Sequence, residues 1–549
     1  KIVHLFILVA LVLLNICSFL IFFKKFIILD NKSKNKIFLI FFKFKILKFK
    51  KIIELVHALL MISTNFNEKL KKKSINNIKI EKDYNYIENI VIGSGPSGSV
   101  TAYNLKKNEF DTLLIEKGNY FSIPKQKHSG YEFLNKWSNS GLQAAIGKID
   151  IQYSSGSCLG GGSEINSGLY HEVDETFVDK LYHNQNIFQK FKRNFPRDLV
   201  NFDNFSDSQS LTNLLNYYKF AAKKLNWKIE NLPRFKRNQT GQINSMTNTL
   251  IEDYKKINGK ILTGYEVKKI QINGDKCNLT LKNKNKEINI ICKNLFLCCG
   301  APYSLNLLQK SKILSNKINH NFHFHPMFKV VAKFKDKVNE SRSLDIISSQ
   351  ITEFYPDYIF GNAASGKQFL KISTLKNFQA YKDVDKNFEF MSIFHSTFSL
   401  GKSKLIKIPF INQPLIYYNF YKRETKIIKE GIINLCKFIF TSGAEYIYLL
   451  DENCTKIDQN QKNKLEEIIE KIQLSLSSVH LLGGLDMNDK KIFNMDEYGK
   501  LKIKNGNIYI NDSTLICHDL LKNPQGTIMT MAKTNIENFL IKKGYAQNN

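Results

Sequence analysis

Gly93-Ser94-Gly95-Pro96-Ser97-Gly98 is a GxGxxG, a pattern whose chemistry is the cradling of a pyrophosphate. Gly93 permits a tight turn, Gly95 lets the main chain approach the ligand, and Gly98 lets helix and strand pack closely. Alone, such a pattern is often an ordinary glycine turn. Here Tyr86 to Ile92 reads as a buried strand running into it, Ser99 to Lys107 as a helix behind it, and Thr112 to Ile115 as a second strand. Glu116 closes that strand, 23 residues after Gly93. Its carboxylate suits ribose hydroxyls and disfavours a 2′-phosphate. The reading is therefore a dinucleotide site, with Glu116 arguing against NADP and FAD versus NAD left open.

A second glycine segment, Gly156-Ser157-Cys158-Leu159-Gly160-Gly161-Gly162-Ser163-Glu164-Ile165-Asn166, lies about 60 residues further on. Its three successive glycines let main chain lie against a flat ligand, and Asn166 adds a short amide. With it the chain resembles the glucose–methanol–choline (GMC) oxidoreductase family from about Tyr86 onward. The resemblance also rests on a strand ending Leu297-Cys298-Cys299-Gly300-Ala301 and on the C-terminal motifs. It implies FAD, with Gly156, Gly161, Gly162 and Ser163 along the flavin. Ile165 stands where some members carry the histidine of a covalent flavin link, so the FAD is expected to be non-covalent. The resemblance further places the backbone of Val267 against the adenine, Gly300 at the cofactor and Asp512 at the ribityl chain.

Near the C-terminus stand His480, Asn511-Asp512-Ser513, and Asn523-Pro524-Gln525-Gly526-Thr527 ahead of an apolar helix. Taking a hydride from an alcohol carbon is easier when the hydroxyl proton leaves to a base, which a neutral histidine can be. A second polar group must hold the substrate oxygen. By residue type alone His480 would be a satisfied structural histidine; by resemblance it is the family's catalytic histidine, and Asn523 its partner. The helix after Asn523, with Gln525 in its first turn, would aim its N–H groups at the flavin's pyrimidine edge. Gly484-Leu485-Asp486-Met487 departs from the family's frequent Ser-Cys-x-Met. The expected activity is oxidation of CH–OH to aldehyde or ketone. Lyase or decarboxylase chemistry on the same fold is one alternative, and a non-enzymatic, membrane-attached flavin-binding protein another.

Positioning these groups requires an α/β fold: a discontinuous FAD-binding Rossmann-like domain with an interleaved α+β substrate-binding domain containing an antiparallel sheet. Residues 84–171, 238–320 and 476–549 are assigned to the FAD domain, and 172–237 and 321–475 to the substrate domain. Alternating stretches at Phe328–Phe334 and Leu415–Phe420 read as strands, and Gln461 to Leu476 as an amphipathic helix leading to His480. His323 and His325 would share a strand face. With no carboxylate or thiolate nearby in sequence, they and His320 are not assigned to a metal.

The 549 residues exceed what one core sustains. The net charge of +31 is mostly lysine in a chain rich in Asn, Ile and Phe, as an AT-rich coding sequence would produce. No nucleic-acid signature accompanies it. Residues 1–83 carry 17 Lys against 5 acids. Ile2 to Phe23 is a run of 22 residues without formal charge, long enough as a helix (roughly 33 Å) to span a bilayer. Residues 1–83 are thus either a membrane anchor with a basic linker or a non-native upstream extension, and localisation stays between membrane-associated and cytoplasmic. Oxygen or a membrane electron carrier would be the acceptor. The nine cysteines show no CxxC and are expected to be free thiols.

Overall fold

The computed structural model describes residues 86–544 and the two-residue strand Lys72–Lys73, except for 122–129, 173–174, 183–186, 202–207, 238–242, 285, 316–321, 341–345, 407–414, 488–494 and 518–519. The apolar run Ile2–Phe23 and His320 lie outside these residues. Among the described residues no helix is long and apolar enough to cross a membrane. Every described cysteine is free.

The first sheet grows from the strand Ile87–Ile92, buried at every position but Glu88. Such continuous burial is what a parallel strand covered on both faces requires. It pairs in parallel with Thr112–Glu116, which pairs in parallel with Lys260–Thr263. On the other side Ile87–Ile92 meets the end of the long strand Lys286–Leu297, and Asn507–Ile510 pairs in parallel beyond that. The first part of Lys286–Leu297 instead closes an antiparallel meander with Lys276–Asn283 and Glu266–Asn273.

Strand alternation sends side chains to two cores. Val91, Leu114, Ile261 and Phe296 pack with the helices Pro96–Lys107 and Gln525–Lys542. Ile90, Ile92, Leu113, Ile115, Leu295 and Leu297 pack with the helix Ala301–Lys310 on the opposite face. The helix after the glycine loop starts earlier than the sequence suggests, at Pro96 rather than Ser99, and the helix after Leu297 starts at Ala301. In each a proline (Pro96, Pro302) occupies the first turn, where a missing N–H costs nothing.

Among the described residues the second sheet has ten strands. At its centre Met327–Lys333 runs antiparallel to Met391–Phe398, which runs antiparallel to Tyr358–Ala363. Phe328, Val330, Phe394 and Phe360 face a core roofed by the helices Gln209–Leu225 and Lys422–Thr441. The alternate residues, among them Met327, Lys329, His395 and Thr397, face a cavity. The chain crosses between sheets often: Ile151–Tyr153 joins the second sheet beside Leu476–Ser478.

The amphipathic helix expected over Gln461 to Leu476 is shorter. A capped 3-10 segment, Gln459–Lys464, precedes an α-helix of only Leu465–Lys471, and the chain is extended from Ile472. Pairing of Leu476 with Ile151 holds it so. Leu415–Asn419 is a strand, in a separate two-stranded ribbon with Lys402–Ile406.

Candidate active site

A cavity of about 450 Å³ lies between the C-terminal ends of the parallel strands and the open face of the second sheet. Of the residues singled out from sequence, Gly93, Ser94, Gly95, Pro96, Ser97, Glu116, Gly156, Gly161, Gly162, Asn166, Val267, Gly300, His480, Asp512, Asn523 and Gln525 all line it. Gly98 and Ser163 do not. A Cβ on Gly98 would stand 1.7 Å from the Gly93 carbonyl oxygen, so this glycine serves the turn of the loop itself rather than contact with ligand. The Ser163 hydroxyl donates to the Gly160 carbonyl and accepts from the Met246 amide, which folds the second loop.

The two glycine loops meet. A Cβ on Gly161, whose φ is +56°, would come within 2.8 Å of the Gly95 Cα. At Gly95, Gly162 and Gly300 a Cβ would meet nothing within 4 Å, because these glycines face the cavity. Bare main chain on an open cradle at a helix N-terminus is what a phosphate-bearing, flat-ringed cofactor needs. The acids brace that cradle. Glu116 accepts from the Ser94 amide at 3.0 Å, the Ser94 hydroxyl at 2.7 Å and the Gly118 amide at 2.8 Å. Asp512 accepts from the Gly300 amide at 2.8 Å, the Ser304 hydroxyl at 2.5 Å and the Thr514 amide at 2.8 Å. Asn166 donates to Gln525, which donates to the Tyr170 hydroxyl at 2.9 Å.

At the other end His480 Nε2 faces the Asn523 amide nitrogen at 3.2 Å, and His480 Nδ1 faces His325 Nδ1 at 2.9 Å. An amide nitrogen only donates, so Nε2 carries the lone pair and the ring proton sits on Nδ1, donated to His325. Burial, with His171 adding repulsion, lowers the His480 pKa to about 3. His325, buried beside His480 and His323, is held well below the usual value. The imidazoles are neutral throughout the physiological range. His325 was expected to share a strand face with His323; the strand is Phe322–Phe324, and His325 lies just past it, on the candidate base.

Sequence reading missed His171. Its Nδ1 accepts from the Asn523 backbone amide at 3.1 Å and its Nε2 donates to Gln350 Oε1 at 3.2 Å, so it fixes the Asn523 main chain. Burial takes its pKa down to about 4. Tyr303 was also missed: its hydroxyl accepts from Gln143 at 2.9 Å and lies 3.0 Å from the Ser155 hydroxyl, with Lys117 over its ring at 4.3 Å.

This arrangement agrees with what the chain is similar to. Residues 91–131 match the model of the NAD(P)-binding Rossmann-like domain, and residues 226–327 that of GMC oxidoreductases. A GMC-type oxidoreductase of Sinorhizobium fredii is 23% identical over 81% of this chain and 92% of its own length. Both matches are to the proteins that the sequence motifs resemble, the GMC oxidoreductases. A long-chain-alcohol oxidase of Arabidopsis thaliana is 22% identical over 65% of this chain, which spans only about half (54%) of that protein. The fold is that of pyridoxine 4-oxidase from Mesorbium loti (TM-score 0.60, 12% identity, 82% of this chain and 99% of that one). Formate oxidase of Aspergillus oryzae gives a TM-score of 0.62 at 12% identity over 85% of this chain and 100% of that one. The chain is an FAD-dependent oxidoreductase, and the open glycine cradle fits that cofactor.

Proposed function

We propose that the enzyme oxidises the CH–OH group of a small-molecule alcohol to an aldehyde or ketone, with His480 as base and Asn523 as its partner at the substrate oxygen. One observation carries this reading: a neutral imidazole with its lone pair on Nε2, beside an amide and facing the cavity at the end of the double glycine cradle. The long-chain-alcohol oxidases among its relatives support a CH–OH donor. FAD, when bound, supplies the acceptor for the hydride. In this reading Gly93 to Gly98 and the helix behind them hold the pyrophosphate, Glu116 the ribose and Val267 the adenine. Gly156, Gly161 and Gly162 would lie along the flavin, Asp512 at the ribityl chain, and Gln525 at the helix N-terminus toward the flavin's pyrimidine edge.

The substrate hydroxyl takes the place of the Asn523 N–H at His480 Nε2, donating to that lone pair, and accepts from the Asn523 amide. A base with a pKa of about 3 gains little by taking the proton first. The hydroxyl proton therefore moves to Nε2 as the carbon is oxidised, with no free alkoxide. Ile165 offers no nucleophile, so the FAD is held non-covalently. Oxygen or a membrane electron carrier reoxidises the enzyme, the latter if the apolar run Ile2–Phe23 anchors the chain.

The test is anaerobic mixing of the yellow holoenzyme with a panel of alcohols. Bleaching of the flavin by at least one, lost in His480→Gln with flavin retained, is the expected result. A flavin that no alcohol reduces would refute the reading, and acid precipitation that leaves flavin on the protein would refute non-covalent binding.

A further inference from the structure

The face of the second sheet that looks into the cavity carries a lysine in mid-strand. Lys329 stands opposite His395, and His395 opposite Gly361, so the three form one row across three strands. Gly361 makes room for the imidazole, since a Cβ there would lie 2.7 Å from His395 Cε1. His395 is held by Thr397, its Nδ1 lying 2.8 Å from that hydroxyl.

Other lysines lining the cavity are engaged. Lys117 lies over Tyr303, Lys268 pairs with Glu266, and Lys522 acts on Glu230. Among the described residues no carboxylate pairs with Lys329, which lies 5.3 Å from the Phe369 ring and disfavours a proton on His395 opposite it. The acids lining the cavity, Glu116, Glu266 and Asp512, belong to the nucleotide sheet and its loops. An enclosed ammonium without a counter-ion is costly. Burial accordingly lowers the Lys329 pKa to about 8, so it is still largely a cation near neutrality.

A second donor points to the same place. Gln350 is 6% exposed and lines the cavity. His171, fixed by the Asn523 backbone, donates to its Oε1. That orients the Gln350 amide nitrogen the other way, to 3.5 Å from the position of a Gly361 Cβ, beside His395. An ammonium and an oriented amide N–H₂ on one wall match the two oxygens of a carboxylate.

Resting on the alcohol-oxidation reading, we propose that the substrate is an alcohol that also carries a carboxylate, and that Lys329 and Gln350 bind that carboxylate while the hydroxyl is presented to His480 and Asn523. Both donors act on binding; neither touches the reacting carbon.

The experiment titrates the full-length oxidised holoenzyme with hexanoate and, separately, with hexanamide, by calorimetry and by the flavin spectrum. Wild type should bind hexanoate at least about 10-fold more tightly, the worth of one charge-assisted hydrogen bond. Lys329→Met should abolish that preference, and Lys329→Arg should retain most of it. Equal affinities in wild type overturn the proposal without any variant, and so does a preference that survives in flavin-loaded Lys329→Met. Because binding needs no turnover, the two readings fail separately. A lysine-dependent preference in an enzyme that no alcohol reduces condemns the oxidation reading alone. Flavin bleached equally well by a hydroxy acid and its hydroxy amide condemns the carboxylate subsite alone.

Discussion

Replacing Gly98 and Gly95 by alanine, one at a time, separates the folding of the nucleotide loop from its binding of FAD. A Cβ on residue 98 would sit 1.7 Å from the Gly93 carbonyl oxygen and 2.8 Å from its carbon. Gly93 cannot retreat, because it stands against the Cys298 carbonyl just past the end of the adjoining strand. The helix Pro96–Lys107 cannot rise easily either, since Val100, Ala102 and Leu105 pin it to the core. Overpacking of this kind costs about 1–3 kcal/mol or more with or without cofactor. A Cβ on residue 95 meets no protein atom within 4 Å, and its φ of −65° and ψ of −172° are open to alanine. There the loss of a favourable N-cap glycine, at most about 1 kcal/mol, is offset by about 0.4–1 kcal/mol from the stiffer unfolded chain. The apoprotein of Gly95→Ala should therefore melt like wild type, while the methyl group stands where the pyrophosphate must approach and weakens FAD binding about 10- to 100-fold, or about 1.4–2.8 kcal/mol. Gly98→Ala should lower the apoprotein Tm by at least about 2 °C. Differential scanning fluorimetry of apoproteins and flavin-fluorescence titration read the two quantities. If Gly95→Ala destabilised the apoprotein as much as Gly98→Ala, or bound FAD normally, the assignment of open cradle and closed turn would be wrong.

His480→Gln should keep its flavin yet lose about 10²- to 10⁴-fold in kcat, the usual weight of a general base; stopped-flow flavin reduction at wild-type rates would exclude His480. With the His480 pKa lowered to about 3, the base is neutral across the working range, so kcat/KM for a neutral alcohol should show no acid limb down to about pH 5. A limb near pH 6.5 would mean an ordinary histidine. Stability behaves differently. His171 and His325 are neutral in the fold but titrate normally, near pH 6.5, when unfolded. The unfolded chain therefore gains protons first as pH falls, and stability is lost below about pH 6.5, by about 1.4 kcal/mol for each of the two at about pH 5.5. A Tm unchanged between about pH 7.5 and about pH 5.5 would contradict this burial. Lys136 is 2% exposed and lies 3.3 Å from Glu132 and 3.6 Å from Glu164, both nearly as buried. Lys136→Met leaves two uncompensated carboxylates and should cost about 3–5 kcal/mol in chemical denaturation; because Glu164 belongs to the second glycine loop, flavin content should fall as well.

The parts of the site that were legible in sequence are those built by local backbone rules. A strand, a glycine turn, a helix start and an acid at a fixed remove follow one another within 30 residues from Ile87 to Glu116, and their order alone fixes their geometry. The polar wall was not legible, because cross-strand register assembles it. His171 meets Asn523 across 352 residues of chain, and His325 meets His480 across 155. Lys329 falls on the polar side of the alternating stretch Phe328–Phe334. A lysine flanked by Phe328 and Val330 on a half-buried strand normally faces water; here the face opposite the core is a cavity wall. Period-2 patterning distinguishes two faces and cannot say whether the polar one meets solvent or substrate.

The distribution of buried charge explains why the two ends of the cavity behave differently. Each buried carboxylate at the nucleotide end is tied to main-chain or hydroxyl donors or to a lysine: Glu116 to Ser94 and Gly118, Asp512 to Gly300 and Thr514, Glu164 to Lys136 and Thr247. These ties stiffen loops and leave no carboxylate for an imidazole. At the other end His171, His325, His395 and His480 are held by Asn523, Gln350, Thr397 and one another. An acid placed against His480 would favour the imidazolium and raise its pKa, so the base would enter the reaction already protonated near neutral pH. Neutral partners keep Nε2 unprotonated, at the expense of basicity, and so tie proton acceptance to the oxidation itself. The same shortage of carboxylates leaves Lys329 without a counter-ion, which makes a substrate that brings its own negative charge the natural complement of this wall.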